Sequence, residues 1–385
     1  MSGLVKSMKT IGTHSGTFHC DEALGCFLLR RTAQFRDSPV TRTRDEAKLA
    51  QLDCVIDVGG VYDHAKARYD HHQRGFTETL GMGGYNTVKL SSAGLVYKHY
   101  GREVISTETG LPLDSPQVDT LYFAMYKHFV QGVDAVDNGV EMFKANVLTS
   151  SSGAKKRRTD EVDEGSEGMV ADGVAEPEVQ LVKQYLDETS LGHRVGALNA
   201  AWNEDASDAV QDARFEEASA MAGREFLSKL SYLHKSWLPA RDIVKRAIET
   251  RREVDKSGKI IVLGQYCPWK DHLFELEEEL QLPQGPDMES AEGGRHMILY
   301  CLYQDSRSGQ WRIMSVPQGG AGSFSQRKPL PAHWRGLRGT ELDAITTVPG
   351  GTFVHIAGFT GGHETYEGML KMARMACTES CCCCT

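Results

Sequence analysis

The strongest constraint on the fold of this chain is the way in which its apolar runs end. One such run, Cys54–Ile56, is followed directly by Asp57 and then by two glycines, Gly59 and Gly60. Buried strands of a parallel sheet end in this way, with β-branched residues, then a carboxylate, then a glycine turn. In open α/β sheets ligands gather at the carboxyl ends of the strands. The pattern therefore predicts an α/β fold with its chemistry at the strand ends.

Two imidazoles beside a carboxylate follow this strand. Asp70, His71 and His72 are consecutive in the chain. A buried imidazole needs polar partners, and a metal ion or a phosphate would supply them. The alternative for this stretch, taken alone, is a solvated polar loop.

A second group of polar side chains follows the first apolar segment. Residues 9–13 predict a short strand, and residues 23–31 predict an amphipathic helix. His14, His19 and Asp21 lie between these two elements, with Asp21 at the helix start. They are therefore placed in a strand-to-helix loop, where ligands of such sheets bind.

Further carboxylates are expected at the end of a later helix. Residues 114–116 supply a cap and a first-turn proline for a helix that extends to about residue 133. Asp134 and Asp137 follow it, and solvation of the helix end is the alternative role for both. Together these imidazole and carboxylate groups suit a dinuclear site for divalent metals.

The motifs in this order resemble those of the DHH phosphoesterase superfamily. They are closer to the melanocyte-proliferating-gene-one family of DHH-like exonucleases. The resemblance is carried by residues 13–22, 57, 70–72, 133–139, 236–241 and 327–331. It covers nearly the whole chain apart from an acidic insert and the C-terminal tail. Most DHH enzymes have Asp-x-Asp in the first motif, whereas this chain has His19-x-Asp21, so the tighter ligand among His14 and His19 stays open.

The residues and the resemblance together predict a two-metal phosphodiesterase. Asp57 would bridge both ions, and His72 would lie toward the scissile phosphate. The other predicted metal ligands are His14, His19 and Asp21 on one side, and His71 and Asp134 on the other. Imidazole ligands favour two Mn²⁺ ions, with the oxygen-preferring Mg²⁺ as the alternative. The resemblance implies a 3′-to-5′ exonuclease that acts on single-stranded RNA or short oligonucleotides.

The predicted fold is a two-domain α/β phosphoesterase of the DHH type. A parallel-sheet catalytic domain over residues 1–207 is followed by a long connector helix region over 208–255. A smaller α/β substrate-binding domain over 256–376 and a cysteine-rich tail over 377–385 complete the chain. An insert at about 150–178 has too few apolar side chains to order itself. Its basic run at 155–158 indicates either a nuclear address or a solvated charge run.

In the second domain, strands are predicted at 259–263, 297–303, 310–316 and 352–356, with the middle two forming a hairpin. A glycine loop at 358–363, followed by a helix at 364–375, would let backbone N–H groups approach a phosphate. It resembles the Gly-Gly-His element of DHH substrate-binding domains. The predicted substrate-binding residues are Arg327, Lys328, Gly361, Gly362 and His363. The alternative role of His363 is an ordinary helix cap.

Composition limits the class of protein. A length of 385 residues favours two domains, and a net charge of −9 argues against broad, non-specific nucleic-acid binding without excluding a local basic groove. No run is apolar enough for a membrane span, so no membrane partner is expected. The ten cysteines show intracellular usage rather than a disulfide framework. The cytoplasm or nucleus is therefore predicted, and the family resemblance adds the mitochondrion.

Three other functions remain open from the sequence, one of them a metal-dependent hydrolase that cleaves another kind of bond. A pyrophosphatase or small-nucleotide phosphatase would use the same ions. A metal-binding regulatory protein with a structural zinc would close every coordination position and show no turnover. The cysteine run at 381–384 is predicted to be a disordered tail, with palmitoylation or metal capture as alternatives. The oligomeric state is not predicted.

Overall fold

The computed structural model describes residues 8–142, 188–283 and 297–379. The insert at 150–178, a helix predicted at 178–187 and the cysteine run at 381–384 lie outside the described residues. The chain divides into two compact units. Unit 1 comprises Met1–Glu108 and Met125–Phe226, and unit 2 comprises Thr109–Ala124 and Leu227–Thr385. Each contains a five-stranded sheet with helices, so the predicted α/β class is confirmed.

The sheet of unit 1 is parallel except at one edge. Its strands are β1 (Ile11–Thr13), β2 (Val40–Arg42), β3 (Cys54–Ile56), β4 (Tyr62–Asp63) and β5 (Arg68–Tyr69). Their order is β2-β1-β3-β5-β4, and only β4 is antiparallel to its neighbour. The predicted strands at 9–13 and 54–56 are therefore neighbours in the sheet. Their carboxyl ends meet at one edge.

Helices alternate with these strands along the chain and continue after the last of them. They are α1 (Cys20–Leu29), α2 (Glu46–Leu49), α3 (Ser92–Thr109), α4 (Pro116–Met125), α5 (Gln131–Asp137), α6 (Leu191–Gly196) and α7 (Asp208–Tyr232). Helix α2 starts where it does because the Asp45 carboxylate accepts hydrogen bonds from the N–H groups of Ala47 and Lys48, at 2.9 and 3.3 Å.

Helix α1 packs closely between the sheet and α3. A Cβ atom placed on Gly25 would lie 3.5 Å from Ile56 on β3 and 3.7 Å from the Cα atom of Ala93 on α3. Gly25 thus marks the point at which α1, β3 and α3 meet at van der Waals distance. This packing holds the start of α1 over the carboxyl end of β3.

Two helical predictions differ from the structure because of π-helical turns. The helix expected to end near residue 133 continues through a π-turn, Tyr126–Val130, to Asp137 at the end of α5. A second π-turn, Leu233–Trp237, precedes α8, and Pro239 lies in the first turn of α8. The N–H of Leu238 donates to the carbonyl oxygen of Leu233, so the helix passes through the π-turn without a break. The helix predicted within the connector region 208–255 therefore continues past Pro239, and the π-turn changes the angular position of the residues after it.

The sheet of unit 2 is mixed and is covered on both faces. Its strands are β6 (Ile260–Val262), β7 (Tyr300–Gln304), β8 (Trp311–Ser315), β9 (Gly351–Val354) and β10 (Thr360–His363). Their order is β6-β7-β8-β10-β9, with only β6 and β7 parallel. The helices are α8 (Leu238–Glu249), α9 (Arg251–Val254), α10 (Lys270–Glu279), α11 (Gly339–Thr346) and α12 (Tyr366–Thr378). The predicted hairpin is confirmed as the antiparallel pair β7 and β8.

The predicted glycine loop at 358–363 is wrong in part, because Thr360–His363 is strand β10. A Cβ atom on Gly361 would lie 3.0 Å from the carbonyl oxygen of Phe353, and one on Gly362 would collide with Thr352. The glycines are needed here for close approach of β9 and β10 rather than for a loop. The following helix begins at Tyr366.

No helix in the described part of the chain combines the length and apolar character that a membrane span requires.

A buried ion pair lies inside unit 2. Arg327 donates two hydrogen bonds to the Glu277 carboxylate, at 2.8 and 2.6 Å, and a third to the carbonyl oxygen of Ile298, at 2.9 Å. The exposed fractions of the two side chains are 1% and 0%. Burial raises the pKa of Glu277, and the charge and hydrogen bonds of Arg327 oppose that rise. The guanidinium is thus held by an internal partner.

We expect Arg327→Met to destabilise the protein by about 3–5 kcal/mol, because it leaves the Glu277 carboxylate buried without its partner. The double variant Arg327→Met, Glu277→Leu should recover much of that loss. Urea unfolding of the two variants and of the wild type tests this. A single variant as stable as the wild type would show that the pair contributes nothing.

Candidate metal centre

The site is built at the carboxyl ends of β1 and β3. The two strands are parallel neighbours, with Ile11 beside Cys54 and Gly12 beside Val55. His14 directly follows β1 and Asp57 directly follows β3. Their side chains therefore enter the same space, with Asp21 and Glu22 in the first turn of α1 beside them.

His14 lies between two carboxylates. Its Nε2 atom is 3.1 Å from Glu22 Oε1 and 3.3 Å from Asp57 Oδ2. Its Nδ1 atom is 3.3 Å from the carbonyl oxygen of Ser15, which can accept the other ring proton. Two donor atoms that each lie roughly 2.1 Å from one ion are roughly 3.0 Å apart in octahedral coordination and roughly 3.4 Å apart in tetrahedral coordination. The spacing around Nε2 therefore fits a shared metal ion, with His19 as a fourth group within reach.

His71 lies between a second set of carboxylates. Its Nε2 atom is 3.1 Å from Asp137 Oδ2, 3.4 Å from Asp57 Oδ1 and 4.0 Å from Asp21 Oδ2. Donor atoms of Asp21, His71 and Asp137 lie close enough together to hold one ion. The two oxygens of Asp57 thus face two different imidazoles. Asp57 could therefore contribute one oxygen to each of two neighbouring metal positions.

Several donor atoms of the cluster have no hydrogen-bond partner although they are buried. Among the described residues these are Asp21 Oδ1, Glu22 Oε2, His71 Nε2 and Asp137 Oδ2. Buried polar atoms are normally satisfied, and exceptions concentrate where an ion binds. The orphaned atoms, together with the mixed nitrogen and oxygen donors, fit a divalent metal centre.

The pKa shifts in the cluster show that its crowded carboxylates are unfavourable without bound cations. Burial lowers the pKa of His14, but hydrogen bonds and charges from Asp57 and Glu22 outweigh it and raise the pKa to about 9. Burial acts to raise the pKa of Asp57, yet His14 and His71 hold that pKa well below its usual range. Burial and the neighbouring charges of Asp57 and Glu22 raise the pKa of Asp21 well above its usual range. Crowded carboxylates of this kind are relieved by cations.

Asp57 is held in an uncommon backbone conformation. Its φ angle is +58°, in the left-handed region that side chains other than Asn, Asp and Gly rarely adopt. Ser92 fixes the carboxylate, because its hydroxyl donates to Asp57 Oδ1 at 3.0 Å and its N–H donates to Asp21 Oδ2 at 3.3 Å. Ser92 is the first residue of α3, so the positive end of that helix dipole also favours the two carboxylates.

Asp134 is the predicted ligand that the structure does not bring into any of these groups. Its Oδ1 atom accepts hydrogen bonds from Ser91 N–H, at 3.0 Å, and from Ser91 Oγ, at 2.7 Å. The carboxylate lies against Gly94, where no Cβ atom would fit. Burial raises the pKa of Asp134 to about 7, against the opposing hydrogen bonds from Ser91. These contacts tie α5 to the start of α3.

Asp137 and Glu22 are carboxylates of the cluster that the predicted ligand set lacks, and His72, predicted as a catalytic residue, also lies within reach of an ion at Asp57 and His71. Asp137 lies one helical turn after Asp134 on α5. Glu22 accepts a hydrogen bond from His19 N–H at 2.8 Å, as the reciprocal part of a capping box. The signal for each was its place at a helix end, with Glu22 directly after the predicted ligand Asp21 and Asp137 three residues after the predicted ligand Asp134.

His72 lies at the exposed side of the cluster. Its side chain is 63% exposed, and its Nδ1 atom is 2.7 Å from Asp70 Oδ1 and 3.5 Å from Asp57 Oδ1. Asp70 is fixed in turn by Gly60 N–H, which donates to Oδ2 at 2.6 Å. His64, by contrast, belongs to no such group. It contacts the Tyr69 hydroxyl at 2.7 Å and stacks on His99.

The cluster opens into a cavity of about 1320 Å³ within unit 1. Its lining includes His19, Asp21, Asp57, His72 and Asp137 together with two permanent cations, Arg44 and Lys127. The volume accommodates a nucleotide or a longer ligand.

The predicted substrate-binding residues all belong to unit 2. Arg327 forms the internal pair with Glu277, and Lys328 donates to the carbonyl oxygen of Cys377 at 2.8 Å. His363 is buried. Its Nε2 atom lies 3.0 Å from Pro349 O, and its Nδ1 atom accepts from Thr365 N–H at 3.0 Å. Gly361 and Gly362 lie in β10. A role of these residues in substrate binding stays a prediction.

The fold and the site together define an α/β protein whose strand ends carry a histidine–carboxylate cluster able to hold divalent metals. The family model MYG1_exonuc, described as "Uncharacterised protein family (UPF0160)", matches residues 10–377. The chain belongs to this family. The resemblance found in the motifs is therefore confirmed.

Relatives extend over nearly the whole chain. "MYG1 protein C27H6.8" of Caenorhabditis elegans is 42% identical over 370 residues, which are 95% of this chain and 94% of the relative. The Homo sapiens protein named "MYG1 exonuclease" is 43% identical over 368 residues, covering 94% of this chain and 84% of the relative. "MYG1 protein YER156C" of Saccharomyces cerevisiae is 39% identical over 372 residues, 96% of each. No solved structure gives a significant match.

Asp57→Asn should remove most bound metal while leaving the fold intact, because Asn tolerates the left-handed backbone but lacks the charge that bridges the two positions. Elemental analysis of metal-loaded protein, with circular dichroism as the fold check, measures this. His71→Ala should also lose metal, and His64→Ala is the matched control that should not. Unchanged metal content in Asp57→Asn would contradict a dinuclear centre.

Asp137→Ala should lower the metal stoichiometry with little change in the stability of the metal-free protein. Asp134→Ala should do the reverse, costing about 1–3 kcal/mol because the Ser91 donors lose their acceptor. Elemental analysis and urea unfolding on both variants separate the two roles. Metal loss in Asp134→Ala at unchanged stability would return Asp134 to the ligand set.

Metal binding should release protons at pH 7. With a pKa of about 9 in the metal-free protein, His14 carries a proton at neutral pH that an ion must displace. Apparent affinity should therefore rise with pH up to about 9 and fall as the pH decreases. Calorimetry in two buffers of different ionisation enthalpy measures the released protons. Binding heats that do not depend on the buffer would show that metal binding does not displace the proton of His14.

Proposed function

We propose that the protein is a divalent-metal-dependent phosphodiesterase that removes nucleotides from the 3′ end of single-stranded RNA or short oligonucleotides. One observation carries this proposal: the two oxygens of Asp57 face two separate imidazole–carboxylate groups beside an open cavity. Paired metal positions about 3.5–4 Å apart are typical of enzymes that cleave phosphate esters. The name of the human and mouse relatives, "MYG1 exonuclease", supports the same class.

The donor set favours two Mn²⁺ ions, with Mg²⁺ as the alternative. His14, His19 and His71 contribute nitrogen, which suits Mn²⁺ better than Mg²⁺. When bound, such ions supply Lewis acidity toward a phosphate and increase the acidity of water.

The protein's own residues hold and orient the reacting groups. Ser92 fixes the Asp57 carboxylate from the N-terminus of α3. The Asp70 carboxylate accepts a hydrogen bond from His72 Nδ1–H at 2.7 Å, so that Nε2 can receive or deliver a proton in the cavity. Arg44 and Lys127 line the same cavity, where positive charge stabilises a phosphate that becomes more negative as the bond breaks.

The proposal includes a two-domain DHH arrangement. Support comes from the motif resemblance and from the presence of two compact α/β units. In this arrangement unit 1 carries the chemistry and unit 2 holds the remainder of the polymer.

Substrate length separates the proposed function from its alternatives. Labelled single-stranded RNA, single-stranded DNA, a dinucleotide and pyrophosphate should each be incubated with Mn²⁺, Mg²⁺ or EDTA. We expect stepwise shortening of RNA from the 3′ end, dependent on Mn²⁺ and abolished by EDTA. Pyrophosphate as the best substrate would favour the phosphatase alternative. Bound zinc without any turnover would favour a metal-binding regulatory protein.

His72→Gln should lower kcat by roughly 10²- to 10⁴-fold, the usual contribution of a general acid or base. Metal content should stay unchanged, because His72 is largely exposed and the other groups around Asp57 remain. Steady-state kinetics over a pH series checks this, since one limb of the pH profile should flatten. A variant with wild-type kcat would exclude His72 from the reaction.

A further inference from the structure

The sheet of unit 2 carries a row of side chains that the proposed chemistry does not use. Helix α12 packs on one face of this sheet. On the opposite face, helices α8 and α10 form a core with the β6 and β7 side. Backbone register places Tyr303, Arg312, Gly362 and Phe353 side by side across β7, β8, β10 and β9 on that face. Residues directly opposite one another in antiparallel strands point to the same side of the sheet.

The row is built around the Phe353 ring, and we call it, together with Arg338, the Arg-Phe face. The guanidinium carbon of Arg312 lies 5.1 Å from the ring centroid, and that of Arg338 lies 5.8 Å from it. A Cβ atom on Gly362 would lie 2.7 Å from Arg312 Nη1 and 3.0 Å from the Phe353 ring. Glycine therefore leaves the space in which the planar groups lie. Phe353 and Arg312 are half-buried, and Arg338 is exposed.

The charge of the Arg-Phe face is incompletely balanced. The nearest carboxylate to Arg312 is Asp305, with 3.9 Å between Nε and Oδ2. Within the described residues, Arg338 makes no ion pair. It is also the N-cap of α11, where the helix dipole is already positive, although Glu341 lies in the first turn. Two guanidiniums beside one ring repel each other unless an anion lies near them.

The chemistry of this face selects one class of ligand. Aromatic rings and guanidinium planes stack on nucleobases, and guanidiniums bind phosphate with two parallel hydrogen bonds. The exposed Tyr266 ring, 4.7 Å from Tyr303, extends the aromatic row at its other end. The net charge of −9 means that the rest of the chain attracts RNA weakly, so a local cationic face decides where a strand binds.

We propose that the Arg-Phe face is a nucleotide platform for single-stranded RNA. A base stacks on Phe353 and the guanidinium planes, and the adjoining phosphate lies between Arg312 and Arg338. This deepens the proposed function and rests on it for the class of ligand. Gly362 belongs to the predicted substrate-binding set, whereas Phe353, Arg312 and Arg338 do not.

Fluorescence anisotropy with a labelled RNA decamer tests the platform in the full-length protein. EDTA is present so that nothing is cleaved and no metal contributes to binding. Phe353→Leu should raise Kd about tenfold, the effect expected from loss of one base–aromatic stack, without changing the salt dependence. Arg338→Gln should make the slope of log K against log salt less steep by about 0.7, the value for one phosphate contact to a single strand.

Matched variants separate binding from folding. Phe353→Trp keeps an aromatic surface and should keep affinity, and Arg338→Lys keeps the charge and should keep the salt slope. Lys371→Gln removes one exposed charge on α12, on the other side of the sheet, and should change neither quantity. Three results would overturn the platform. In the first, Phe353→Leu and Arg338→Gln both bind RNA as the wild type does. In the second, both lose no more affinity than Lys371→Gln. In the third, the wild type does not bind RNA.

Turnover measured in parallel keeps the two proposals apart. RNA cleaved with Mn²⁺ by variants that bind normally would overturn the platform and leave the phosphodiesterase standing. RNA bound in the expected pattern but not cleaved with any metal would support the platform and reject the phosphodiesterase.

Discussion

The structure of unit 1 depends on how several buried carboxylates are tolerated at one point. Asp21, Glu22 and Asp57 are each at most 5% exposed. Asp137 joins this group by its ion pair with His71. Burying one unpaired carboxylate costs several kcal/mol, and burying like charges together costs more. Imidazolium groups relieve part of this in the metal-free state, as the raised pKa of His14 shows. Two divalent cations would relieve it more fully, so the site and the stability of the unit share one requirement.

The surrounding elements are arranged to meet that requirement. Parallel pairing of β1 and β3 brings His14 and Asp57 to one edge, and α1, which packs against β3 and α3 at Gly25, carries Asp21 and Glu22 over it. The first turn of α3 supplies both a hydrogen-bond donor, Ser92, and a positive helix end. Substrate affinity is a separate problem. A site filled with carboxylates repels any polyanion until cations are bound, and the cationic side chain of Arg44 in the cavity lining adds positive charge beside it.

The sequence was sufficient for the parts of the site that follow strands. His14, Asp57 and His71 each come directly after or close to a short apolar run, and strand ends of a parallel sheet converge whatever the details of packing. The helix-borne ligands were harder. The π-turn at Tyr126–Val130 adds a residue to the helical repeat and changes the angular position of everything after it. Periodicity from Pro116 onward therefore cannot tell Asp134 from Asp137.

Unit 2 shows a different limit of sequence reasoning. The basic pair at Arg327 and Lys328 has the composition of a phosphate grip, but Arg327 meets Glu277, which lies 50 residues earlier in the chain. Nothing local indicates that partner. In the same way, glycines that suggest a loop at Gly361 and Gly362 are required by the approach of β9, an interaction set by tertiary pairing. Composition predicts the chemical type of such residues, and only pairing decides whether their groups are free.

The left-handed backbone at Asp57 restricts how this position can diverge among related chains. Glycine would relax the backbone but would leave no oxygen between the two imidazoles. Glutamate would keep the charge, but its longer side chain disfavours a φ angle of +58° and would push the carboxylate past Ser92. Asparagine can adopt this backbone conformation but lacks the negative charge. Backbone geometry and ligand chemistry thus exclude different substitutions, and aspartate is the one residue that both allow. Sequence change in this site is consequently expected around Asp57 rather than at it, in the side chains that face its two oxygens.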